Sequence, residues 1–154
     1  MSIEDLEGRH VLVSMRETIE APANEIWPFL SAIGAERILI PGCTRSSLLE
    51  GFGEGALRRI YFGDTVFDER ILELNPKTYK MKYEVCEPNS SPAQGTLAAV
   101  QLHPSGPNET TITWVVGAKV VPAEHAESLQ AQSAVFEKGQ IAALRKLTQI
   151  TPST

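Results

Sequence analysis

The last long stretch of the chain, Ala123–Ile150, contains no proline and is rich in Ala, Leu, Glu, Gln and Lys. These side chains lose little freedom in a helix, so the stretch predicts one long helix. Pro122 stands directly before it, where its missing N–H costs nothing. Leu129, Phe136, Ala143 and Leu147 recur at helical spacing, and Ala126, Ser133 and Gln140 fill the same stripe. The stripe is thin, because small or polar side chains separate the bulky ones. Gly139 lies inside the helix and costs about 1 kcal/mol relative to alanine. A helix of this length needs a broad surface to lie on. Its gapped apolar face does not suit a close-packed bundle, and predicts a lid over a curved sheet with space beneath.

A chain of 154 residues is long enough for one domain with its own core. The expected domain is 1–154, with flexible ends at 1–8 and 151–154. A net charge of −5 sets a nucleic-acid backbone aside as a partner. No apolar run approaches a membrane span, and the acidic start Met1–Gly8 lacks the apolar core of a secretion signal. The expectation is therefore no membrane insertion and a cytoplasmic location. Cys43 and Cys86 could pair, but they fit a reduced compartment, where cysteine behaves as a small hydrophobe, and two cysteines cannot make a four-cysteine zinc site.

Period-two alternation and turn residues divide the rest of the chain. His10–Glu20 reads as a strand ended by Pro22. Ala23–Ala32 and Ile33–Ile40 read as two short helices, the second closed by Pro41 and Gly42. Strands are then expected over Cys43–Glu50, Ala56–Phe62, Thr65–Leu74, Tyr79–Glu87, Gly95–Leu102 and Thr110–Val121. Short connections between successive strands imply an antiparallel meander. The fold class is α+β, with about seven strands and helices on one face.

Three stretches in this order resemble one family. They are Ala21–Gly34 (APANEIWPFLSAIG), Glu50–Val85 with its glycine loop and hairpin, and Thr111–Val120 (TITWVVGAKV) before the lone C-terminal helix. The pattern resembles the START-like helix-grip superfamily (SRPBCC), which includes birch-pollen-allergen proteins and polyketide cyclases. The resemblance implies a curved antiparallel sheet wrapped around the long helix, with a cavity between them. Two departures border the usual pocket mouth. Ala35–Cys43 lacks the tryptophan that often follows the second short helix, and Pro88–Gly95 replaces a longer aromatic insertion.

The resemblance also sets strand phase, because the position of Arg58 usually points into the cavity. The same phase turns Ile60 and Phe62 inward, with Phe67, Glu69 and Ile71 on the next strand. Met81 and Tyr83 follow on the strand after it, where Lys80, Lys82 and Glu84 mark the solvent face. Trp114 and Val116 are expected inside on the last strand, and Cys43, Arg45, Ser47 and Leu49 on the second. Expected catalytic residues are Glu69, Arg58 and Tyr83. Expected substrate contacts are Arg45, Ile60, Phe62, Phe67, Met81, Trp114, Val116, Phe136 and Gln140. An inward carboxylate and guanidinium must pair or bind something. One reading is a structural Arg58–Glu69 brace between neighbouring strands. The other has Glu69 moving a proton while Arg58 or Arg45 holds a substrate oxyanion.

Other constellations carry less. Gly51–Gly55 lacks the lysine and following helix of a phosphate loop. His10, His103 and His125 sit at element ends and are not spaced as ligands, so no metal and no cofactor are expected. Cys43 has no visible activator. Two main functions remain open. The first is a cofactor-free enzyme of the polyketide cyclase or aromatase kind, cyclising, dehydrating or isomerising a small apolar oxygenated metabolite. The second is a non-catalytic carrier or sensor of such a ligand, as monomer or homodimer. A protein-interaction domain is a third reading.

Overall fold

A computed structural model describes residues 3–149. The last expected helix residue, Ile150, and the tail 151–154 lie outside the described residues. The strands are β1 (His10–Ile19), β2 (Arg45–Glu50), β3 (Leu57–Phe62), β4 (Thr65–Asn75), β5 (Lys80–Val85), β6 (Leu97–Gly106) and β7 (Glu109–Ala118). They form one antiparallel sheet in the order β1-β7-β6-β5-β4-β3-β2. Helix α1 (Ala23–Leu30) follows β1, and α2 (Ala126–Thr148) follows a 3-10 turn at Ala123–His125. This is the α+β helix-grip arrangement, a curved sheet with one long helix across it.

Only the first of the two expected short helices is α-helical. The second shrinks to the 3-10 turn Glu36–Ile38. Gly34 takes a positive φ of 99°. The Glu36 carboxylate accepts the Gly34 N–H at 2.6 Å, which ties the loop into a tight fold of its own. Strand β6 also runs past its expected end at Leu102. A bulge between Pro104 and Gly106 lets the strand continue although proline has no N–H to donate.

The acidic start, expected to be flexible over 1–8, contains a 3-10 turn at Ile3–Leu6. Leu6 is fully buried against Ala99 and Val115 on the outer face of the sheet. Arg9 Nε donates to the Gly95 carbonyl at 2.7 Å, and Lys80 Nζ reaches Asp5 Oδ1 at 2.6 Å. Gly117 permits this approach, since a Cβ there would lie 2.9 Å from the His10 carbonyl oxygen. One buried leucine and two polar contacts therefore place residues 5–9 against the sheet.

Paired residues on neighbouring strands share a face, so the inner surface consists of rows across the sheet. One row is Met15, Trp114, Val100 and Met81. It packs in one cluster with Ile26 and Leu30 of α1 and with Ile141 and Leu144 of α2. The next row is Val13, Val116, Ala98 and Tyr83. Here the small Ala98 leaves room.

Helix α2 is rotated from its expected stripe. Its buried residues are Leu129, Glu137, Gln140, Ile141 and Leu144, whereas Leu147 is 43% exposed. Packing against α1 captures Ile141 and Leu144, and that choice turns Leu147 outward.

Gly139 has a reason in this packing. A Cβ at 139 would overlap Cγ of Pro41, so the glycine lets the loop before β2 lie directly on the helix. Gly139→Ala gains helix propensity but forces Pro41 away. The expected net effect is a loss of roughly 1–3 kcal/mol in urea unfolding. Adding Pro41→Ala removes the overlapping carbon and should restore most of that loss. A single variant as stable as the parent would refute the contact.

Candidate functional site

Between α2 and the sheet lies a cavity of about 490 Å³. It occupies one end of the grip. From α2 it takes only residues between Leu129 and Gln140, while Ile141 and Leu144 beyond them seal the packed end. Its rim carries Thr65, Ser90, Pro92 and Gln132, all exposed and none charged. Phe62 stacks edge-on with Phe67 and Phe136, at centroid distances of 6.0 and 5.7 Å, and the three rings make an apolar wall.

Arg58, Glu69 and Tyr83 all line the cavity, as do Ile60, Phe62, Phe67, Val116, Phe136 and Gln140. Met81 and Trp114 do not. Both face inward and are buried, but they lie one row deeper, inside the packed core. Arg45 is outside altogether. Register pairs it with Tyr61, and Ser47 with Arg59, so these residues share the outer face. The Arg45 guanidinium lies 4.0 Å over the Tyr61 ring. Ser46 and Leu48 take the inner side that Arg45 and Ser47 were expected to hold. The run Arg-Ser-Ser-Leu-Leu-Glu has no period-two polarity, so its phase is set by pairing with β3 and not by its own pattern.

The charged centre begins with Arg58, whose side chain is 5% exposed. It faces Glu69 across the β3–β4 register. Nε and Nη2 both donate to Glu69 Oε1, at 2.9 and 2.6 Å. Nη1 lies 3.6 Å from Glu36 Oε1, and the guanidinium sits 4.7 Å over the Tyr83 ring. Burial opposes the Arg58 charge, but Glu69 and Glu36 outweigh it, so its pKa lies above the usual guanidinium value. Burial raises the Glu36 pKa against the pull of Arg58 and the Gly34 N–H.

Glu36 and Glu137 are the site residues that the sequence reading passes over. Glu137 is 6% exposed, lines the cavity, and accepts a hydrogen bond from Gln140 Nε2 at 2.9 Å. Burial, helped by repulsion from Glu69, pushes its pKa up to about 8. A signal for it existed: it follows Ser133 by four and precedes Gln140 by three, so the three share one helix face. Tyr83 is held well above its ordinary pKa, by burial first and then by Glu137 and Glu69. Its hydroxyl is therefore a neutral donor. The Trp114 indole N–H lies near enough to favour Tyr83 ionisation slightly, yet makes no hydrogen bond of ordinary geometry.

The remaining candidates lie elsewhere. His103 Nε2 pairs with Thr113 Oγ1 at 3.1 Å, and His10 and His125 are exposed. Cys43 donates to the Arg45 carbonyl. No group of three or more His, Cys, Asp or Glu among the described residues is placed to hold a metal ion. No helix among them is long and apolar enough to cross a membrane.

Residues 10–149 match the profile of a family described as polyketide cyclase/dehydrase and lipid transport. A comparison with curated proteins finds no match. Among solved structures, the chain is similar to XoxI from Bacillus cereus, with 17% identity, a TM-score of 0.77, and coverage of 88% of this chain and 94% of that one. It is similar to Ara h 8.0201 at 15% identity and TM-score 0.75, covering 90% and 97%. It is also similar to truncated norcoclaurine synthase from Thalictrum flavum, at 16% identity and TM-score 0.72, covering 88% and 91%. At such identities these structures share a fold and no more.

The Glu137 pKa makes a stability prediction. A folded-state pKa raised from 4.5 to about 8 means that the folded protein holds a proton the unfolded chain releases. The stability this confers is present below about pH 4.5 and is lost as pH rises to about 8. Glu137→Gln removes that dependence. The difference in stability between Glu137→Gln and the parent should therefore move toward the variant by about 3–5 kcal/mol between pH 4.5 and pH 8. Urea unfolding at both pH values measures it, and an equal difference at both would contradict the raised pKa.

Proposed function

Because the chain belongs to the polyketide cyclase/dehydrase and lipid transport family, within the START-like (SRPBCC) superfamily, we propose that it binds an apolar oxygenated metabolite in this cavity and transforms it without a cofactor, by cyclisation, dehydration or isomerisation. The observation that carries this reading is the Arg58–Glu69 pair on the wall of a cavity whose other side is the ring cluster Phe62, Phe67 and Phe136. A desolvated pair of this kind costs stability unless its charges are used or fully matched.

Glu69 is the acid–base group in this proposal. Both of its bonds from Arg58 fall on Oε1, which leaves Oε2 open to a substrate proton. Arg58 is a positioning residue. Its fork is already spread between Glu69 and Glu36, so it aims and stabilises Glu69 and does not also clamp a substrate anion. Tyr83 donates its O–H to a substrate oxygen and polarises it. The three phenylalanines hold the carbon skeleton, and their closeness limits how far it can unfold from a reactive shape.

A second reading has its own support. The family description also covers lipid transport, and a guanidinium matched by two carboxylates is a stable arrangement without any chemistry. A carrier would use the same walls.

Native mass spectrometry of protein purified from its own host identifies what the cavity holds. That molecule, or its precursor, is then followed in single turnover. Glu69→Gln should slow the rate about a hundredfold or more with affinity little changed, and Tyr83→Phe should lose on the order of a hundredfold. Arg45→Ala should alter neither, since Arg45 is on the outer face. Glu69→Gln should also lower stability by about 3 kcal/mol, because it leaves Arg58 short of a partner. A co-purifying ligand that binds but is never transformed makes the protein a carrier.

A further inference from the structure

Glu137 is the cavity carboxyl that the mechanism above leaves without a task. It projects from α2 toward the sheet, and the charged or titratable groups around it are Arg58 on β3, Glu69 on β4 and Tyr83 on β5. Glu36 stands beyond Arg58, on the 3-10 turn. Arg58 is committed to Glu69 and Glu36, and no cation among the described residues lies within ion-pair distance of Glu137. Two carboxyls on the cavity wall, Glu69 and Glu137, and Glu36 behind Arg58 are thus set against one guanidinium. A charge on Glu137 would be buried, unpaired and next to Glu69. The neutral carboxylic acid avoids all three costs and carries an O–H to donate. Gln140 occupies Oε2 through its N–H, so Oε1 is the oxygen left for the proton and for a ligand.

On the reading that this cavity is the ligand site, we infer that Glu137 is its neutral acid donor, that its O–H receives the carbonyl or hydroxyl oxygen of an uncharged ligand, and that the site rejects carboxylates and other organic anions. The ligand class is then a neutral ketone, enone or alcohol of largely apolar surface. An anionic head group would be a further negative charge around one guanidinium that is already matched. That rejection is a repulsive element, which selects among ligands as effectively as an added contact. Binding should also depend on pH, because a donor that ionises near pH 8 becomes a repelling acceptor above it.

The test uses the neutral ketone fluorophore prodan and the sulfonate fluorophore 1-anilinonaphthalene-8-sulfonate, titrated by fluorescence at pH 6.5 and 9.5. Near-UV circular dichroism at both pH values establishes that the fold persists. Prodan should bind the parent protein at pH 6.5 and loosen about tenfold or more at pH 9.5. Glu137→Gln keeps a donor but cannot ionise, so its prodan affinity should change less than about twofold over the same range. The sulfonate should bind the parent about tenfold or more weakly than prodan at pH 6.5. A carboxyl carbon-13 titration of the parent reads the same linkage without any variant, and the Glu137 midpoint should rise when prodan is added.

Absent prodan binding, a flat pH profile in the parent, an unchanged slope in Glu137→Gln, sulfonate binding as tight as prodan, or a midpoint that prodan does not move would each overturn the inference. None of these readouts needs turnover. If Glu69→Gln and the parent bind prodan with the same pH profile while no ligand is ever transformed, the acid-donor assignment stands and the catalytic reading falls.

Discussion

Arg58 carries a permanent charge to a place that water barely reaches, and the surrounding structure is arranged around that fact. Its first partner, Glu69, lies directly opposite in the β3–β4 register, so the sheet itself delivers the match. Its second partner, Glu36, comes from the loop after α1, which must fold back tightly to present it. The same loop continues to Pro41, which rests on Gly139 of α2. One guanidinium therefore links two strands, a turn and, through the turn, the long helix. Removing either carboxylate would strand a buried charge, a change that typically costs about 3–5 kcal/mol.

The grip is half filled. The row containing Met81, Val100 and Trp114 meets Ile141 and Leu144 of α2 and leaves no space. One row on, Ala98 stands between Tyr83 and Val116, and α2 answers with Ser133, Glu137 and Gln140. The thin stripe on the helix has a physical meaning here. Ile141 and Leu144 hold the packed end together, while Ser133, Glu137 and Gln140 face the cavity beside Leu129 and Phe136. A uniformly apolar helix would have collapsed onto the sheet and closed the space.

Much of this was legible in the sequence, but unevenly. Lys80, Lys82 and Glu84 fix the solvent face of β5, so Met81 and Tyr83 could be turned inward with no structure in hand. Element order, and the long proline-free terminus, gave the fold. Alternation assigns a side but not a depth, which is why Met81 and Trp114 were expected at the cavity and are found beneath it. Strand β2 has no alternation to read, and Arg45 was placed on the wrong face. Glu36 and Glu137 were missed because a charged residue on a turn or helix ordinarily faces water, and only the tertiary arrangement overrides that default. Leu6 shows the same limit for apolar residues, since one leucine in an acidic stretch gives no period.

The rim of Thr65, Ser90, Pro92 and Gln132 is the exposed part of the cavity lining and so the route for traffic. That rim bears no charge. The neutral ligand inferred for this cavity carries no net charge to be steered, so its capture should proceed at much the same speed in dilute buffer and in concentrated salt. Ligands would then not be sorted on arrival. They would be sorted by how long they stay, after shedding water at the aromatic wall and meeting the carboxyls behind it.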